Sequence, residues 1–135
     1  MLNNINNELF IANQLKYLSV IVFVITFWLI FTNNKVNILP LNIVIFCGSI
    51  ILFHVYPNYY EFVNKRDNSL THLLGIYDFI IHYVPLIYVL SNHINNITKI
   101  DYKLCTIIIL SYLVIFHKDI YSIYFQPENY FKNRD

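Results

Sequence analysis

The chain has 135 residues, of which 57 % are hydrophobic, 18 % aromatic and only 13 % charged, with a formal net charge of +1. Soluble domains average about 45–50 % apolar and about 25 % charged residues, so this is the composition of a chain solvated by lipid, and its length suits one small helical bundle rather than several domains. So small and scattered a basic excess excludes a nucleic-acid surface or a polybasic lipid-binding patch.

The opening segment MLNNINNELFIANQLK is polar and Asn-rich, with no basic region ahead of its apolar part and no small-residue cleavage site downstream, which argues against a removable signal peptide. Tyr17 to Thr32 then reads YLSVIVFVITFWLIFT and predicts a first membrane helix over about 15–32, which the preceding LFIANQL can lengthen by two turns. Asn33 and Asn34 signal a tight turn. The uncharged run that follows is edged by Pro40 and Pro57, and because proline is tolerated in a first helical turn, a second helix is expected over about 38–56.

The charged stretch EFVNKRDNS, Glu61 to Ser69, reads as a loop whose Ser69 caps a third helix over about 70–90. After the polar connection NHINNITKID, Asp101 is expected to cap a fourth helix over about 102–123. Its uncharged part, Leu104 to His117, is too short to cross, and a full crossing of about 20 residues must take in Lys118 and Asp119; the alternative is an amphipathic surface helix. Continuously apolar runs, without alternation, disfavour a β-barrel.

The expected fold is therefore all-α, a single integral membrane bundle of four transmembrane helices with both termini on one side. Lys16, Lys65, Arg66, Lys118, Lys132 and Arg134 then lie on that side against Lys35, Lys99 and Lys103 on the other, and the positive-inside rule makes it cytoplasmic. Cys47 and Cys105 form neither a disulfide framework nor a zinc pattern and are read as free thiols. No cofactor is indicated.

Within the third helix, Asp78 and His82 stand one turn apart in an otherwise apolar run. A carboxylate at mid-membrane costs about 2.5–3.5 kcal/mol on insertion scales, so such residues face a bundle interior or a wet cavity and are functional candidates. At about 100° per residue, Thr71, Gly75, Asp78, His82 and Pro85 share one stripe while Leu73, Phe79, Ile80 and Ile87 look elsewhere. Counting about 1.5 Å per residue from Leu70 puts Asp78 roughly 12 Å and His82 roughly 18 Å into a core about 30 Å thick. The bland reading is that the pair only hydrogen-bonds neighbouring helices.

Other polar residues carry less. Cys47 and His54 share a helix face, but side chains two turns apart do not touch, so a buried thiol and a satisfied histidine outweigh a nucleophilic dyad. His117, Lys118 and Asp119, beside Tyr121, Tyr124 and Phe125, read as interfacial anchors, as do Tyr56, Tyr59 and Tyr60. His72 is expected at headgroup level and His93 in a loop, and the histidines are too dispersed for a metal set.

Three short pieces in order, LKYLS (Leu15 to Ser19), VYP (Val55 to Pro57) and HYVP (His82 to Pro85), resemble the androgen-induced membrane-protein family, multi-pass hydrolases that cleave lipid esters with an intramembrane threonine and histidine. The late FHKDIYSIYFQP is similar to that family's His-rich helix end before a proline. The resemblance implies Ser19 as nucleophile, where the family has threonine, and His82 as general base; four helices are fewer than the family normally has. Asp78 would then orient the imidazole. Depth counting adds a condition: a first helix starting at Leu15 leaves Ser19 about 12 Å from the level of His82, and the two meet only if it begins near Leu9 with Lys16 turned toward protein or headgroups.

The residues alone define a multi-pass membrane protein whose partners are the bilayer and, on the resemblance, a lipid substrate. The sharpest specific reading is an intramembrane lipid ester hydrolase. Two rivals stand beside it: a homo-oligomer conducting protons or another ion along Asp78, His82 and Asp119, and a scaffold in which the polar stripe is only helix-to-helix glue.

Overall fold

The computed structural model describes residues 7–55, 71–93 and 97–130, and every regular element among them is helical. In order these are α1 (Asn7–Ala12), a 3₁₀ turn (Gln14–Lys16), α2 (Leu18–Phe31), α3 (Leu39–Val55), α4 (Thr71–His93), α5 (Lys99–Phe125) and α6 (Pro127–Tyr130). The loop 61–69 with Ser69, and Tyr56, Tyr59 and Tyr60, lie outside the described residues, as do the side chains of His54 and His72.

The expected first helix, 15–32, is shorter at its start. It does not continue into LFIANQL, because Tyr17 is extended (φ −85°, ψ 128°) and separates the 3₁₀ turn from α2. At the far end α2 closes as the Asn-Asn pair suggests. Asn33 takes the left-handed φ of 50°, its N–H bonds Ile30 O at 3.0 Å and the Asn34 N–H bonds Leu29 O at 2.9 Å, the paired return of a Schellman motif with asparagine in glycine's place. α3 begins where the Asn37 amide oxygen accepts the Leu39 N–H (3.0 Å), with Pro40 in its first turn.

α4 runs to His93, so His93 ends a helix and does not sit in a loop. Its inward edge includes the buried Ile81, Pro85, Leu86 and Val89, while Phe79, Ile80 and Ile87 are exposed, as the stripe predicts. The cap of α5 is Thr98, three residues earlier than expected. Asp101 is the reciprocal member of a capping box: Thr98 Oγ1 accepts the Asp101 N–H, and Asp101 Oδ2 accepts both the Thr98 N–H (2.8 Å) and the Thr98 hydroxyl (2.9 Å). Its other oxygen accepts the buried Asn37 N–H at 3.0 Å, tying the start of α5 to the start of α3.

α5, with 27 residues and hence about 40 Å of rise, is long and apolar enough to cross a membrane, and only 17 % of its apolar window is buried. The other apolar helical stretches, Leu18–Phe31, Leu39–Leu52 and Ile76–Ser91, are shorter.

α4 packs on α2 and most extensively on α3, while α5 packs on α3 and on the 3₁₀ turn. One apolar cluster joins Tyr17, Val20, Ile81 and Ile123; a second joins Val22, Leu29, Ile38, Leu41, Ile45 and Cys105; a third joins Leu39, Leu86 and Val89. Replacing Asp101 by alanine strips three donors of their acceptor and strands the buried Asn37 N–H, so we expect a loss of about 2–3 kcal/mol in reversible denaturant unfolding. Thr98→Ala, which removes only the cap, should cost about 1 kcal/mol in the same measurement.

Candidate active site

The break at Tyr17 generates the site. An extended residue between two helical segments releases backbone groups that a continuous helix would pair, and α5 supplies their partners. The Tyr112 hydroxyl donates to Lys16 O at 2.6 Å, and the Tyr124 hydroxyl accepts the Leu18 N–H at 3.0 Å. The two hydroxyls lie 3.2 Å apart, and the Tyr17 ring stands edge-on to Tyr124 with centroids 5.4 Å apart.

Lys16 is thereby turned toward protein. Its ammonium donates to the Tyr130 hydroxyl at 2.7 Å and lies 3.4 Å from Asp119 Oδ1, while Tyr130 donates to that same carboxylate at 2.9 Å. Asp119 belongs to this network, whereas His117 and Lys118 are exposed.

Restarting the helix at Leu18 puts Ser19 in its first turn, buried. Ser19 and His82 line one cavity of ≈ 410 Å³ together with Ser49, Tyr112 and Tyr124, under an apolar wall that includes Ile45, Ile109 and Leu113. The volume is that of a small-molecule site, apolar with a few convergent polar groups. Ser19 and His82 share its wall with no hydrogen bond between them.

His82 is oriented from within α4. Its Nδ1 lies 3.0 Å from Asp78 Oδ1 and 2.9 Å from Asp78 O, and its side chain is 13 % exposed. Two oxygens at Nδ1 require the proton there, so in the neutral ring the lone pair lies on Nε2, the tautomer a base needs. Ser49 Oγ donates to Phe46 O at 2.8 Å, so its proton is engaged within α3.

Sequence reasoning named Ser19, His82 and Asp78, and the fold brings all three to or beside this cavity. It missed Ser49 and Tyr112 and read Tyr124 and Asp119 as interfacial. Positions 112 and 124 stand about 120° apart around a helix, so periodicity offered no signal that joined them. Cys47 is exposed and Cys105 buried, both free thiols, and no three His, Cys, Asp or Glu side chains gather as a metal set among the described residues. Comparison with protein-family models, curated proteins and solved structures finds no match.

Nitrogen NMR of the imidazole should show the His82 proton held at Nδ1, and Asp78→Ala should shift that proton upfield as its carboxyl acceptor is lost.

Proposed function

We propose that this chain is a multi-pass membrane hydrolase cleaving lipid esters, with Ser19 as nucleophile, His82 as general base and Asp78 orienting the imidazole. One observation carries the reading: the buried residue Ser19 and a carboxylate-oriented histidine open onto the same apolar-walled cavity. The short pieces resembling lipid-ester hydrolases support it from the sequence side.

Four membrane crossings with both termini cytoplasmic belong to the same proposal. Large apolar side chains face outward on each long helix, among them Trp28 and Phe31 on α2, Ile51 on α3, Ile87 on α4 and Val114 on α5. Such surfaces need lipid around them. α2 alone rises about 21 Å, and the segment from Asn7 supplies the remaining reach toward the interface. Contact between the 3₁₀ turn and α6, through Lys16 and Tyr130, supports an even number of crossings.

The chemistry follows from the proton inventory. Ser19 Oγ bonds to the ester carbon and its proton passes to His82 Nε2, while Asp78 Oδ1 holds Nδ1–H and stabilises the imidazolium. The tetrahedral adduct then breaks its bond to the alcohol, which leaves with the proton from His82. Water repeats the sequence on the acyl-Ser19 ester and releases the acid.

A fluorophosphonate probe should label the wild-type chain in detergent and spare Ser19→Ala; equal labelling of the two removes Ser19 from the role. His82→Ala should lower ester hydrolysis by about 10²–10⁴-fold, and unchanged hydrolysis would remove the base.

A further inference from the structure

We infer that the Tyr124 hydroxyl is a catalytic donor of this site, turning its proton onto the carbonyl oxygen of a bound ester as that oxygen becomes an oxyanion. The inference rests on Ser19 as nucleophile. Each tyrosine hydroxyl holds one proton. Tyr112 has committed its proton to Lys16 O at 2.6 Å, so the contact between the two hydroxyls is made by the proton of Tyr124. That contact measures 3.2 Å, long beside the usual 2.7–2.8 Å (about) of an O–H···O bond. Tyr124 therefore spends its proton on a poor acceptor.

Its oxygen meanwhile accepts the Leu18 N–H at 3.0 Å, which polarises the hydroxyl and makes it a better donor. Leu18 immediately precedes Ser19, so this hydroxyl is fastened beside the backbone of the attacking residue, and Ser19, His82 and Tyr124 all line the one cavity. The edge-on packing of Tyr17 holds the ring in place. Tyr112 touches the same cavity, but its proton is engaged.

In the step itself, the Ser19 oxygen bonds to the ester carbon, the carbonyl π pair moves onto oxygen, and the serine proton goes to His82 Nε2. Tyr124 rotates its O–H from Tyr112 to that oxygen without giving up the proton. When the pair returns to re-form the carbonyl, the carbon–alkoxy bond breaks and the alcohol takes the proton from His82. Tyr124 serves the later attack of water on acyl-Ser19 in the same way. Such a donor binds the charged state more strongly than the ground-state carbonyl.

The test compares the full-length wild-type chain with Ser19→Ala, Tyr124→Phe and Tyr112→Phe in vesicles, using a chromogenic fatty-acyl ester and, separately, infrared spectra of the acyl-enzyme carrying a ¹³C carbonyl. Expected are a loss of hydrolysis in Ser19→Ala, a fall in kcat of about 10²–10³-fold in Tyr124→Phe with KM held within about threefold, and an acyl carbonyl stretch that rises in Tyr124→Phe but not in Tyr112→Phe. Hydrolysis lost in Ser19→Ala yet retained within about threefold in Tyr124→Phe overturns the Tyr124 role and leaves the nucleophile standing. Hydrolysis unchanged in Ser19→Ala overturns both. An equal rise of the stretch in the two tyrosine variants also overturns the role, since it reports loss of the shared scaffold. Should Tyr124→Phe fail to fold, Tyr124→3-fluorotyrosine keeps a stronger-donating hydroxyl and must lower the wild-type stretch; an unmoved stretch overturns the inference.

Discussion

The start of α2 depends on two hydroxyl groups from the far end of the chain. A residue that leaves the helix in a buried setting strands a carbonyl and an amide, each at a cost of about 1–3 kcal/mol if unpaired. Tyr112 and Tyr124 meet both and make the extended Tyr17 tolerable. Ser19 enters the first turn of a helix in place of the second, Lys16 swings to Asp119 and Tyr130, and the cavity gains its polar end.

The histidine side of the cavity is built differently. Asp78 and His82 lie on one helix four residues apart, so their hydrogen bond needs only the helical geometry of α4, and packing against α2 and α3 has merely to aim the finished pair. Pro85, buried one turn along, keeps that face against protein. A locally formed acid–imidazole pair is thus presented to a serine whose position is assembled across the molecule. The outer surface contributes neither: it is lined with exposed isoleucines, valines and aromatics.

What was legible in the sequence followed the same division. Apolar runs and their asparagine, proline and aspartate punctuation marked the helices to within a few residues, because capping and hydrophobic length are local properties. The inward stripe of α4 was visible for the same reason. The break at Tyr17 was not, since nothing near Leu15 to Ser19 forbids a continuous helix; what stops it is a pair of acceptor and donor groups on α5. Asp119 was misread likewise, its charge neighbouring exposed His117 and Lys118 while its partner, Lys16, stands over a hundred positions away. Depth counting makes the meeting of Ser19 and His82 conditional on a helix that begins near Leu9; α2 instead begins at Leu18, and the two residues nonetheless line one cavity.

The hydroxyls that set the start of α2 lie 96 and 106 residues beyond the groups they bind. At ribosomal rates of about 5–20 residues per second, Tyr124 is made roughly 5–20 s after Leu18. Through that interval the nascent first helix has no reason to interrupt itself at Tyr17, and its serine sits in the wrong register for any partner. The last long helix to be synthesised is therefore what finishes the first, and a chain whose translation stops before Tyr124 does not assemble the cavity.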